Sequence, residues 1–372
     1  MKRGRPRASK NKGQGSGALK KTTVKTIAQM AEVSPATVSL VLHGKGNLPE
    51  KTRTRVRQAI ERSGYVRPVA KRLPSSINAI GVIVYDIENP YAGELFKGLE
   101  GEFQDQNIVS MMLSSNNVVE RQNFLLAYLD QWGYAGAILI PANGSGQETL
   151  SIIQNLRMPI VLGVRHLGFG TFDYVGPNYF QGMSLATQHL IDLGHKRIAF
   201  VGGEANNSAY SERLGGFRMT IAQAGAVESL EIQGPTTSSQ FGIDAMADIL
   251  RMKNPPTAII AYNDQLAFGL MHAATEAGIV PGKDIAIVGF DDIRVSELQS
   301  IPLTTVSTPP SRIGLEMARL LKSRIDGNDG EPVNIIPPPV LKVRSSCGAP
   351  NDAFGHVRSA KGQSTRPHLE NR

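Results

Sequence analysis

The 372-residue sequence predicts two folds in one α/β chain: an all-α, helix-turn-helix headpiece over residues 23–65 and a larger two-lobed domain with parallel sheets over residues 77–345. Three observations lead there. Residues 1–74 hold 18 lysines and arginines against 3 acidic residues, although the whole chain carries only +8, so a strongly cationic end joins a mildly acidic body. From Ile77 onward, apolar runs alternate with amphipathic stretches, which argues for parallel strands covered by helices. That region is also too long for one ordinary sheet domain, so two lobes are expected.

The bulk composition narrows the class. With 41% hydrophobic and 19% charged residues, the chain can bury more than one core. The longest apolar run, residues 79–85, falls far short of the ~20 residues a membrane span needs. Residues 1–12 are basic and no apolar segment follows, so a secretory signal is not expected. The single cysteine, Cys347, cannot form an internal disulfide, and no Cys/His cluster has zinc-ligand spacing. These features imply a cytoplasmic chain with no metal or other cofactor. The basic end is an electrostatic footprint for a polyanion, with phosphates the obvious target.

Each element follows from local signals. Residues 1–22 form a basic arm that is expected to be disordered alone. Thr23 is a good N-cap for a helix over residues 24–31, with Ile27, Ala28 and Met30 as its apolar positions. Ser34 and Pro35 start a second helix running to about Leu42, with Val38, Val41 and Leu42 at core spacing and Ala36, Thr37 and Ser39 on the other face. A three-residue connection between two short helices makes a helix-turn-helix, whose second helix can enter a DNA major groove. The third helix, over residues 50–62, directs Val56, Ala59 and Ile60 inward and Lys51, Arg53, Arg55 and Arg57 outward, and Gly64 suits its C-terminal cap. Residues 66–76 form a short segment carrying basic residues and two prolines, between the headpiece and the large region.

In the large region, strands are expected at residues 79–85, 109–113, 135–141, 160–162, 198–201, 258–261 and 285–289. Helices are expected at 91–106, 120–132, 179–193, 210–224, 241–252 and 264–277. Ligands in such folds bind beyond the carboxyl ends of the strands. Asp86, Asn89, Arg165, Asn263, Asp264, Asp291 and Asp292 all fall at such ends, which points to a cleft for a polar ligand. Residues 346–372 read as a polar tail. No Ser/His/Asp set, P-loop or complete G-x-G-x-x-G fingerprint occurs at a strand-to-helix junction, so no catalytic residues are expected. Gly44 and Gly46 belong to a loop, and His43, His189, His195 and His272 read as surface or capping residues.

Residues 24–42, which read VKTIAQMAEVSPATVSLVL, together with Gly64-Tyr65, resemble the headpiece of the lactose/galactose repressor (LacI/GalR) family. The resemblance continues through Asn89-Pro90-Tyr91, Leu193-Gly194-His195-Lys196-Arg197, Arg213-Leu214-Gly215-Gly216-Phe217, Asn263-Asp264 and Val288-Gly289-Phe290-Asp291-Asp292, and covers about residues 22–345. The stretches Val38-Ser39-Leu40-Val41-Leu42 and Ser307-Thr308-Pro309 are similar to the maltose-regulon branch. The resemblance implies a periplasmic-binding-protein-like effector domain, its two lobes joined by three crossovers. It further implies a transcriptional repressor that reads a double-stranded, pseudo-palindromic operator. A small polar effector in the interlobe cleft, expected to be a carbohydrate, would control it.

By the same resemblance, Thr23, Ser34, Pro35, Ala36, Thr37 and Ser39 face DNA. Leu40 stands where many members carry a guanine-reading arginine. Ala70 and Leu73 belong to a hinge helix over residues 69–73 that orders on DNA, and Leu73 is the minor-groove wedge. Glu32 replaces the glycine usual in the turn, at a cost of up to ~1 kcal/mol if the backbone there is left-handed. The implied effector contacts are Asn89, Tyr91, Arg165, Arg213, Asn263 and Asp291, with Val164 where an aspartate is common. Family tetramers use a C-terminal leucine heptad. Beyond Val357 only Leu369 could serve one here, so a homodimer is expected. A secreted sugar-binding protein would share the large domain but not the basic headpiece. A regulator controlled by a protein partner instead of a metabolite is the alternative.

Overall fold

The computed structural model describes residues 24–42, 48–63, 77–104, 107–168, 170–234, 237–349 and 358–359. The chain divides into two compact units, Met1–Lys71 and Arg72–Arg372. The first holds α1 (Val24–Met30), α2 (Pro35–Leu42) and α3 (Glu50–Ser63). Ile27, Ala28, Ala31, Val38, Val56 and Ala59 close its core. Met30, expected inward, is 48% exposed. The inward stripe of this short helix passes through Ile27, Ala28 and Ala31 and leaves position 30 outside. Glu32 has φ 52°, the left-handed conformation that the glycine replacement put in question.

The second unit begins with β1 (Ile77–Val84), α4 (Pro90–Phe103), β2 (Val109–Ser114), α5 (Val119–Gln131), β3 (Tyr134–Leu139), α6 (Gln147–Gln154), β4 (Ile160–Gly163) and β5 (Tyr174–Val175). The chain then crosses into α7 (Tyr179–Asp192), β6 (Arg197–Val201), α8 (Ser208–Ala224), β7 (Glu228–Ile232), α9 (Ser239–Leu250), β8 (Ala258–Ala261), α10 (Asp264–Glu276), β9 (Ala286–Asp291) and β10 (Thr304–Ser307). It returns through α11 (Pro310–Ile325) and β11 (Asn334–Ile335), and ends in β12 (Val340–Lys342) and β13 (Arg358–Ser359).

Two sheets result, ordered β11-β5-β4-β3-β1-β2 and β13-β12-β10-β9-β8-β6-β7. The first is parallel throughout. The second is parallel except for β12 and β13, which join antiparallel. The crossings after β5, β10 and β11 make the three connections of a two-lobed fold. At the return, α11 packs so closely on α4 that a Cβ at Gly314 would lie 2.0 Å from the Leu95 carbonyl oxygen.

Three further sequence expectations need correction. β9 continues to Asp291, so this aspartate is the last residue of a strand and not a residue beyond it. The core does not stop at residue 345: Cys347 and Ala349 are buried, because the 3-10 turn Ser345–Cys347 packs under β9 and β10. His189 is buried too, with its Nε2 3.3 Å from the Cys347 sulfur, and is neither a surface nor a capping residue.

On the outer side of α5, Phe124, Tyr128 and Trp132 form an exposed aromatic stripe with ring centroids 6.1 and 5.9 Å apart. Val109 and Met111, on the edge strand β2, are exposed as well.

Candidate functional site

In the headpiece, Ser34 caps α2. Its hydroxyl accepts from the Thr37 backbone N–H at 3.0 Å and shares a 2.9 Å hydrogen bond with the Thr37 hydroxyl, while Pro35 opens the helix. Ser34, Pro35, Ala36 and Leu40 are exposed and Thr37 is half-buried. The start of α2 therefore offers two hydroxyls and a small apolar surface. At 39% exposed, Leu40 can meet a thymine methyl but cannot make the bidentate hydrogen bonds of an arginine. Arg55 lies 3.9 Å from Glu32, and the Arg53 Nε donates to the Leu48 carbonyl at 3.4 Å. Thr23, Ala70 and Leu73 lie outside the described residues, as does the side chain of Ser39.

In the larger unit, the ends of β1, β2, β3, β4, β6, β7 and β8 surround a cleft of about 670 Å³. Of the six effector residues implied by the sequence, Arg165 alone lines it; Asn89, Tyr91, Arg213, Asn263 and Asp291 are all buried. Tyr85 and Tyr262 belong to the lining, and the Tyr262 ring also touches this buried set. The Arg213 guanidinium carbon is 4.3 Å from the Tyr262 ring centroid, 4.0 Å from that of Tyr179 and 4.3 Å from that of Phe290. Arg213 also donates to Asp291 Oδ1 at 3.2 Å, while its Nε has no hydrogen-bond partner among the described residues. Tyr91 donates its hydroxyl to the Thr308 carbonyl at 3.4 Å, and the buried Thr308 hydroxyl is likewise unpartnered among the described residues.

Asn89 and Asn263 serve the fold directly. Their side-chain carbonyls accept from the N–H groups of Tyr91 and Leu266, capping α4 and α10. Each amide nitrogen remains able to donate. Burial pushes the Asp291 carboxyl up, with Arg213 opposing and Asp264 adding to the rise. Asp264 and Asp292, also singled out in the sequence, are structural. Asp264 accepts from the Ile293 N–H and the Ser296 and Thr305 hydroxyls, and Asp292 accepts from Arg344.

Arg165 owes its position to a strained turn. Val164 has φ 62°, unfavourable for a β-branched side chain, and the Arg165 N–H reaches back to the Gly163 carbonyl at 2.5 Å. The Tyr174 hydroxyl holds the Val164 carbonyl at 3.2 Å. The turn lays the Arg165 guanidinium 3.8 Å from the Tyr85 ring centroid and within 3.0 Å of the Pro141 carbonyl. A second opening of about 400 Å³ shares Arg165 as a wall.

Sequence reasoning missed Asn117, Asn143, Glu204 and Asn207, which link the lobes across the cleft. Glu204 accepts from the amides of Asn117 (3.3 Å) and Asn143, and the Asn207 amide donates to Asn143 Oδ1 at 2.9 Å. A signal exists in the Asn116-Asn117 pair just after β2; both have positive φ, which asparagine tolerates in a tight turn.

A helix-turn-helix unit followed by a two-lobed sheet domain with a polar interlobe cleft defines a DNA-binding regulator carrying a periplasmic-binding-protein-like unit. Comparisons agree. Residues 23–68 match "Bacterial regulatory proteins, lacI family", and residues 187–347 match "Periplasmic binding protein-like domain". The maltose regulon regulatory protein MalI of Escherichia coli (strain K12) is 30% identical over 86% of this chain and 97% of its own. The transcriptional regulator CelR in complex with cellobiose superposes with a TM-score of 0.69 at 27% identity, covering 87% of this chain and 99% of its own. A LacI family regulator from Enterococcus faecium with bound ribose superposes with a TM-score of 0.65 at 30% identity, covering 72% of this chain and 98% of its own. The chain therefore belongs to the lacI family of bacterial regulatory proteins and is one of its DNA-binding transcriptional repressors. Among the described residues, no helix is long and apolar enough to cross a membrane, and no group of three His, Cys, Asp or Glu could hold a metal ion.

Proposed function

We propose that the protein binds a pseudo-palindromic operator as a cytoplasmic homodimer, and that a small carbohydrate or sugar derivative in the interlobe cleft sets its operator affinity. The observation that carries this reading is the buried Arg213–Asp291 pair, caged by three aromatic rings beneath the cleft, with Arg213 Nε unpartnered among the described residues. A buried donor without a partner costs free energy unless a ligand supplies an acceptor. An ionised carboxylate, an arginine, two amides with N–H groups to donate and flanking aromatic rings together match the hydroxyls and apolar faces of a sugar. The cellobiose and ribose bound to the two related regulators support the same class.

Control in this reading passes through residues 69–73. A segment so short cannot hold a helix alone, because isolated helices under ~12 residues are marginal. It is thus poised to respond to a coupling free energy of ~1–3 kcal/mol between effector and DNA. Genome-wide mapping of bound sites will supply the operator, and titration of that operator with and without neutral sugars tests the reading. An operator affinity that no sugar alters would defeat it.

Two further outcomes are expected. Leu73→Ala should weaken specific operator binding and reduce the DNA bend, since the wedge that offsets unstacking is gone; equal affinity and equal bend would remove Leu73 from the hinge. Deleting residues 1–21 should weaken binding and flatten its salt dependence, by about 0.9 in log K against log salt for each phosphate no longer neutralised. An unchanged slope would make the arm a spectator.

A further inference from the structure

We propose that the outer cleft around Glu204 is a second sugar subsite, which takes an uncharged outer ring of an oligosaccharide effector and excludes phosphorylated sugars. The inference rests on the reading of this cleft as the effector site and assigns it a ligand class.

The structure separates two tiers. The inner tier is the buried set around Arg213 and Asp291, where Arg213 Nε and the Thr308 hydroxyl lack partners among the described residues. The outer tier is the open cleft of about 670 Å³, room for more than one pyranose ring. Tyr85 and Tyr262 line the outer tier, where Tyr85 lies against Arg165 of the same lining and Tyr262 against the buried Arg213 behind it. Aromatic faces at such a boundary suit the apolar faces of successive sugar rings.

The chemistry of the outer tier is that of a diol receptor. Glu204 comes from the loop after β6 in one lobe, while Asn117 and Asn143 come from the loops after β2 and β3 in the other. Vicinal hydroxyls can take over these bonds one for one: each hydroxyl donates to the carboxylate and accepts from an amide N–H. A ring seated there would bridge the lobes through the groups that already bridge them.

Charge decides against an anion. Asp86, Glu88 and Glu204 bring three carboxylates to the lining, and among the described residues Arg165 is its only cation. That guanidinium already faces the Tyr85 ring and donates to the Pro141 carbonyl. A phosphate dianion in the outer cleft would face three like charges with a single cation to balance them, whereas a neutral ring would not.

Calorimetry on the full-length protein tests the proposal. The probes are glucose, galactose, mannose and ribose, the α- and β-linked disaccharides of the three hexoses including maltose and cellobiose, and the 6-phosphates of glucose and maltose. At least one neutral disaccharide should bind about ten-fold or more tightly than its own monosaccharide, the scale of one charge-assisted hydrogen bond. Its phosphorylated form should bind weakly or not at all. Glu204→Gln, which keeps the shape and removes the charge, should cost the disaccharide about ten-fold more affinity than the monosaccharide and narrow the discrimination against phosphate. Asp86→Asn, on the opposite wall, should narrow that discrimination too, so the test does not depend on one variant folding.

Tighter binding of a phosphorylated sugar, or equal losses for both ring counts in Glu204→Gln, overturns the proposal. A monosaccharide that shifts operator affinity while no disaccharide binds overturns the subsite but leaves the effector reading standing. A panel with no binding at all overturns both.

Discussion

Asp291→Asn should abolish the effect of sugar on operator binding while leaving effector-free operator affinity near wild type. Asparagine suits the position better than alanine, because it keeps the shape of the side chain and an acceptor for Arg213 where the backbone, at φ 119°, is already one that L-residues rarely adopt. The substitution keeps an acceptor for Arg213 but removes the charge that faces the buried guanidinium at 3.2 Å. Breaking a buried ion pair by removing one partner costs about 3–5 kcal/mol, and the retained amide should hold the loss toward the lower figure. Arg213→Met should also abolish the response, and the double variant should be more stable than the two single losses predict, because neither charge is then left unpaired. A purely capping role for Asp291 is already ruled out: the 3-10 turn that follows is capped at Ile293, with no side-chain cap. Operator titration and thermal unfolding of each variant, with and without sugar, decide the matter. A sugar response surviving in Asp291→Asn would end the assignment.

The second large effect is on stability against pH. Burial pushes the Asp264 carboxyl up to about 7, against the pull of three hydrogen bonds and with no cation beside it; Asp291 is raised too, but Arg213 opposes that rise and favours its charged form. A carboxyl whose pKa is raised on folding binds more protons in the native state than in the unfolded one. The contribution of Asp264 is therefore fully present below about pH 4 and is lost as pH rises through about 7. Unfolding free energy should accordingly fall across that window. His195, whose pKa burial lowers, works in the opposite sense near its own ordinary pKa and is a single, partly exposed group. Denaturant unfolding at about pH 5 and about pH 8 should show the fall, and Asp264→Asn should flatten part of it while lowering stability overall, since its amide cannot accept at both oxygens. A slope unchanged by Asp264→Asn, or stability that rises with pH, would contradict the assignment.

Much of this architecture is legible in the chain because its strands are buried on both faces and read as continuous apolar runs. β8 begins and ends where the apolar run does, and β1, β4 and β6 lie within two residues of expectation. The edge strand β7 is not legible, since Glu228-Ser229-Leu230-Glu231-Ile232 alternates and is only partly buried. β5 and β11, two residues each, have no periodicity to read. At the site, polar residues at strand ends mark the right loops but not their roles. Asn89 and Asn263 use their carbonyls as helix caps, and Asp264 is a structural acceptor. Glu204 carries no local signal, because its partners stand 61 and 87 positions away. The turn at Val164 is hidden for a related reason: a valine with positive φ contradicts its own preference and is held there by contacts from Tyr174 and Val175.

The placement of the aromatic stripe on α5 has a consequence for optical measurements. Trp132 is the only tryptophan in the chain. It stands at the C-terminal end of α5, beside the start of β3, whereas the cleft lies beyond the opposite, carboxyl ends of the strands. Its indole is partly open to water and rests against Tyr128. Intrinsic tryptophan emission therefore samples the end of the lobe at which β1 begins, remote from the ligand. A sugar in the cleft would reach that emission indirectly, through a change passed along the lobe to the far end of α5.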